Sequence, residues 1–236
     1  MPPGAARQAF RGRFLHCLPE AEGGYRVAYL EDGVLVVEGS RIAALDPAPV
    51  AAAQGLDLAT CTDLGGDLVV PGFVDTHVHA PQLDVIGSHG EQLLEWLERY
   101  TFPAEARFAD EAFARVAMAD FLDALLCQGT TSAMVYATSH HHATEALFAA
   151  ADARGLCLIA GKVLMDRNAP EALCDSAEGG IAESRALIER WHGRERLAYA
   201  VTPRFSITSS PAQLAGAGQL LRDHPGVYLQ THLAEN

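Results

Sequence analysis

Val69-Val70-Pro71-Gly72-Phe73-Val74-Asp75-Thr76-His77-Val78-His79 is the stretch from which the fold of this 236-residue chain is read. An apolar run, counted here from Leu68 as the start of a buried strand, ends directly in two histidines. In a strand, alternate side chains share a face, so Asp75, His77 and His79 point the same way. Two imidazoles at i and i+2 can reach one ion at the ~2.0–2.1 Å of a zinc–nitrogen bond. The carboxyl end of a parallel strand is also where barrel active sites are built.

Downstream, strands and helices alternate. Ala109–Leu126 reads as a helix with Phe113, Ala117, Phe121, Ala124 and Leu125 on one stripe, stopped by Gly129. Thr131–Thr138 reads as a strand, Thr144–Arg154 as a helix closed by Gly155, and Leu156–Leu164 as a strand. Ile181–His192 is a helix stopped by Gly193, and Leu197–Pro203 a strand. Ser210, Pro211 and Gln213 open the next helix as cap, first-turn proline and capping-box partner. That helix stops at His224-Pro225, and Val227–His232 is the last strand. Such alternation specifies an α/β protein with a parallel sheet and right-handed crossovers, either a barrel or a doubly wound sheet. A (β/α)8 barrel takes roughly 31 residues per unit. The expected architecture is therefore a TIM-type barrel over residues 70–236, truncated after about five strands.

Upstream, residues 1–69 are expected to form a small β-sandwich-type accessory domain. Residues 1–14, with Arg7, Arg11 and Arg13, lead into the first strand. Tyr25–Leu30, Val34–Glu38 and Arg41–Leu45 read as short strands, with Asp32-Gly33 and Gly39-Ser40 as hairpin turns. Residues 46–62 read as a connection returning to a strand at Asp63–Val70. With 17 basic and 30 acidic side chains the net charge is −13. That balance excludes nucleic acid and membrane surfaces as main partners. Five cysteines, an odd number with no CxxC pair, fit neither a disulfide framework nor a thiolate metal site, and free thiols point to the cytoplasm. No run is long enough to span a membrane, and no apolar secretory core precedes the first strand.

A second stretch, Val227-Tyr228-Leu229-Gln230-Thr231-His232-Leu233-Ala234-Glu235-Asn236, ends another strand in a histidine. Glu235 follows three residues later, where a turn can fold its carboxylate back to the same centre. Water activated at a metal needs a base to take its proton and an acid to return it, and one glutamate beside the site does both.

Together these residues resemble the metal-dependent amidohydrolase superfamily. Longer strings are similar to its guanine deaminase family: His79-Ala80-Pro81-Gln82, Leu94-Glu95-Trp96-Leu97-Glu98-Arg99-Tyr100-Thr101-Phe102-Pro103-Ala104-Glu105, Met165-Asp166-Arg167-Asn168-Ala169-Pro170, Thr202-Pro203-Arg204-Phe205 and Thr231-His232-Leu233-Ala234-Glu235-Asn236. The resemblance covers about Pro71 to Asn236 and corresponds to the N-terminal part of the family. It implies hydrolytic deamination of guanine to xanthine and ammonia at one zinc ion, with iron as the alternative metal, in a protein that is a homodimer at full length. It implies that His77, His79 and His232 are metal ligands, Glu235 the proton shuttle, and Gln82, Arg204 and Phe205 the base pocket. An arginine fork suits the O6 and N7 acceptors of guanine. The family's further ligands, a histidine after strand six and an aspartate after strand eight, have no counterpart here, so the resemblance implies that the 236 residues alone are inactive.

Two other readings are weighed. One is another aminohydrolase or chlorohydrolase of the superfamily, acting on a pterin, a cytosine or a chlorotriazine. The other is a non-catalytic purine- or metal-binding remnant. Among the remaining signals, His140-His141-His142 reads as a solvated loop entering a helix, and His89-Gly90 as a surface loop. Asp75 is expected to hold a neighbouring ligand. Trp96, Tyr100 and Phe102 cover the barrel or a partner, and Asp166, Arg167 and Asn168 order the pocket. Cys127 and Cys157 read as core residues.

Overall fold

Alternating apolar runs before Pro71 and strand–helix repeats after it produce two separate sets of contacts. In the computed structural model, which describes residues 6–89 and 92–235, contacts cluster into Met1–Pro71 and Gly72–Asn236. Gly90 and Asn236, two positions weighed above, lie outside the described residues.

Among its described residues the first unit is one four-stranded sheet, where a sandwich would need a second sheet packed on it. Its strands are β1 (Arg7–Pro19), β2 (Tyr25–Glu38), β3 (Arg41–Pro47) and β4 (Thr62–Val69), in the order β3-β2-β1-β4. The connection after β3 carries a short helix, α1 (Ala48–Ala53), whose Ala48 and Ala51 pack with Val34 and Val36 of β2. Asp32-Gly33 is not a turn, because β2 runs straight through it. Arg11 grips the Asp32 carboxylate with two bonds of 2.7 and 2.8 Å. Gly33 faces Gly12 across the ladder, where a Cβ would come within 2.8 Å of Phe14. The glycine there serves close packing of strands. The turn between β1 and β2 is made instead by Gly23 and Gly24, both at positive φ. Gly39 does turn the chain into β3, at φ 61°.

The second unit is a parallel sheet with helices between its strands. β5 (Phe73–His79) is followed by α2 (Leu93–Trp96), one π turn over Leu97–Thr101, α3 (Phe102–Ala106) and α4 (Glu111–Cys127). Then come β6 (Thr130–Tyr136), α5 (His141–Arg154), β7 (Cys157–Gly161), β8 (Val163–Leu164), α6 (Ala177–Trp191), β9 (Leu197–Pro203), α7 (Pro211–Asp223) and β10 (Tyr228–Leu229). The strand order is β10-β9-β7-β6-β5, with β8 also on β9 and every pairing parallel. Among the described residues the sheet does not close on itself. The architecture is the α/β succession of a barrel's early strands.

Three of the four longer helices start at a side-chain cap. The side chains of Asp110, Ser176 and Ser210 accept backbone N–H groups of α4, α6 and α7. Apolar faces of α4–α7 meet the sheet in a core that includes Met118, Leu147, Phe148, Leu187, Leu158, Tyr199 and Val201. Burying each such side chain contributes about 1.5–3 kcal/mol.

Three features of the structure depart from the sequence expectation. β5 is an edge strand rather than a buried one, leaving Phe73 and Val74 exposed. The strand expected over Leu156–Leu164 breaks at Lys162. Its N–H bonds the Tyr199 hydroxyl, and its buried ammonium pairs with Asp175 and Glu183 instead of following the pleat. Cys127 and Cys157 are exposed, since they sit at the end of α4 and the start of β7 where the core stops.

Candidate metal centre and base pocket

The carboxyl ends of the parallel strands assemble one site. His77 and His79 end β5, Tyr136 ends β6, Arg204 and Phe205 follow β9, and His232 follows β10. His79 Nε2 stands 3.1 Å from His232 Nε2, which stands 3.2 Å from His77 Nε2. Among the described residues these three histidines are the group able to converge on a single ion, all three ligand atoms lying within 4.8 Å of one another. Two nitrogens tetrahedrally bound to zinc stand about 3.4 Å apart, given bonds of ~2.1 Å. The donor set therefore fits zinc.

Surrounding groups hold these lone pairs in place. The Arg204 carbonyl accepts from His232 Nδ1 at 2.8 Å, which leaves Nε2 bare and aimed at the other two rings. Asp75 accepts the backbone N–H of His77 at 3.0 Å, so it braces a candidate ligand. Burial first, then the charge of Arg204, pushes the His79 pKa down to about 2, and burial lowers that of His232 as well. These shifts favour the neutral form of both rings, the form that binds metal.

A pocket of about 200 Å³ opens beside this triad. The remaining sequence-assigned residues, Gln82, Arg204, Phe205 and Glu235, all line it, together with Trp96. Glu235 turns back through Ala234, which takes φ +56°, a conformation rare for a residue with a Cβ. Arg204 is almost fully buried, and its Nη1 donates to Glu105 at 2.7 Å while Phe102 lies under the guanidinium at 5.4 Å. Gln82 Nε2 donates to the other oxygen of Glu105 at 3.5 Å.

Glu105 and Tyr136 were not assigned roles from the sequence. The Tyr136 ring stacks on His79 at 4.6 Å and lies 5.0 and 4.4 Å from the rings of His77 and His232. Its phenol pKa is pushed up to about 12, by burial and then by Glu235. Its place at a barrel strand end is the signal that could have found it, by the same logic that picks out His79. Glu105 sits mid-helix and carries no such mark.

The discounted signals fall elsewhere. His140 precedes α5 and His142 bonds the Phe108 carbonyl at 2.8 Å, so that run is a half-buried helix start rather than a solvated loop. His89 is exposed. Asp166 accepts from the backbone and hydroxyl of Ser210, while Arg167 and Asn168 bond the carbonyls of Ser206 and Ile207.

Residues 68–236 match the amidohydrolase family. The chain is 44% identical over 233 residues to the guanine deaminase of Escherichia coli K12, covering 97% of this chain and 53% of that protein. It is 48% identical over 174 residues to a probable guanine deaminase of Deinococcus radiodurans, covering 74% of this chain and 40% of that protein. The chain thus spans about half, or less, of the length of these curated relatives. Among solved structures, a guanine deaminase from C. acetobutylicum with guanine bound in its active site superposes with a TM-score of 0.86 at 26% identity, over 98% of this chain and 54% of that one.

Proposed function

The chain belongs to the amidohydrolase family, and from that premise we propose that its metal centre and pocket serve the hydrolysis of guanine to xanthine and ammonia. The observation that carries this reading is the convergence of three imidazoles on one wall of a pocket whose other walls are Gln82, Arg204, Phe205 and Glu235. Similarity to guanine deaminases over 97% of the chain supports the choice of substrate. We take zinc as the metal, held by His77, His79 and His232, and a second copy of the chain as partner.

Zinc at this position supplies Lewis-acid activation of water. The protein's own groups do the rest. Phe205 offers a face for the purine ring, and Arg204 offers N–H donors to its acceptor edge. Glu235 takes a proton from the attacking water and passes it to the departing 2-amino group, so guanine and water become xanthine and ammonia.

The test is Glu235→Gln, assayed for ammonia and zinc on this chain and on its reading frame continued past Asn236. Expected is a loss of turnover of about 100-fold or more with zinc content unchanged. Turnover equal to that of the parent protein overturns the role of Glu235. Absence of ammonia from guanine in both zinc-loaded parent proteins overturns the reaction.

A further inference from the structure

We infer that Glu105 is a positioning residue that sets the pocket's specificity by fixing which way the Gln82 amide faces, and so selects ligands with a lactam edge. The inference rests on the guanine reading above and names what that site recognises. The Glu105 side chain is 1% exposed, and a buried carboxylate is retained only with partners. It has two: Arg204 Nη1 at 2.7 Å on one oxygen and Gln82 Nε2 at 3.5 Å on the other.

An ionised carboxylate can only accept hydrogen bonds. Gln82 must therefore turn its NH2 toward Glu105, which leaves its carbonyl oxygen for the pocket that Gln82 lines. Arg204 has no acceptor, so whatever it shows the pocket is a donor. Both side chains are tied to the two oxygens of one carboxylate, so acceptor and donor stand side by side. The complement of that pair is an N–H next to a C=O, which is the N1–H and C6=O edge of guanine. A purine lacking the 6-oxo group, such as 2-aminopurine, carries a lone pair at N1 and would face the Gln82 oxygen with another acceptor. A buried mismatch of that kind costs binding.

Glu105→Gln tests this without relying on turnover. A glutamine there can still accept from Arg204, but its NH2 now points at Gln82 and turns the amide of that residue over. The pocket then shows two donors, of which the turned Gln82 NH2 matches the N1 lone pair of 2-aminopurine and opposes the N1–H of guanine. Binding to the zinc-loaded protein is measured by 2-aminopurine fluorescence and by guanine competition. Expected is at least a roughly tenfold drop in guanine affinity with 2-aminopurine unchanged or tighter. A merely structural role would move both ligands together, and an unchanged ratio of affinities overturns the inference. If Glu105→Gln does not fold, Gln82→Leu removes the acceptor directly and should lower the preference for guanine about tenfold, to what the Arg204 donor alone supplies, whereas an unchanged preference overturns the inference equally. A parent protein that binds zinc but neither purine overturns the guanine reading itself.

Discussion

At His79, burial and charge act on one ring. The unfolded imidazole titrates near 6.5, whereas the folded one does so near 2. Between those values the unfolded chain binds one more proton at this site, so metal-free stability falls as pH drops below about 6.5. The slope from this one group approaches about 1.4 kcal/mol per pH unit. Denaturant titrations of metal-free protein at pH 7.5 and 5 should show the parent losing more stability than His79→Asn. Equal losses would contradict the buried, neutral ring.

Tyr136 makes a second claim at the scale of single residues. If its ring is the surface against which three imidazoles are set, Tyr136→Phe should bind zinc within about twofold of the parent. Tyr136→Ala should weaken binding by about 10–100-fold, the usual cost of losing a group that orients ligands. Competition with a chromophoric chelator reads both. The candidates His77, His79, His232 and Glu235 could be picked out of the sequence because each falls at or within a few residues of the end of an apolar run. Glu105 could not, since its meaning depends on Gln82 and Arg204, which are 23 and 99 residues away.

Elements were legible where local chemistry decides them. Ser210 and Pro211 mark the start of α7, and the structure places a cap there, with Ser210 Oγ accepting from Gln213 N at 3.2 Å. Ser210→Ala should cost about 1 kcal/mol in chemical denaturation and leave zinc binding unchanged. The capping box expected from Gln213 is not made, because its buried side chain finds no hydrogen-bond partner among the described residues. Where tertiary contacts decide, local reading failed. Asp32-Gly33 has the letters of a turn, but Arg11 and Phe14 on the neighbouring strand make it the middle of β2. Lys162 breaks a strand for the same reason, since its partners come from Asp175 and from Glu183 on α6. Gly161 shows how tightly the neighbouring strands meet, since a Cβ would lie 1.8 Å from the Ala200 carbonyl oxygen. Gly161→Ala is therefore expected to destabilise the protein by about 3 kcal/mol or more, read by the shift in its denaturation midpoint.

Across the whole molecule, the parallel arrangement of β5, β6, β7, β9 and β10 matters most, because it brings their carboxyl ends to one side. Residues as distant as His77 and His232 share one centre only on that account, 155 positions apart in the chain. The strand–helix rhythm was enough to infer this arrangement. The single-sheet form of the first unit was not readable, because hairpin signals alone do not say whether strands stack or pair. The most direct test of the whole account is ammonia release from guanine as zinc is returned to chelated protein, using the reading frame continued past Asn236. The account predicts no release without metal and a rise that levels off at one zinc per chain. Release that is indifferent to the chelator, or that no amount of zinc restores, would contradict it.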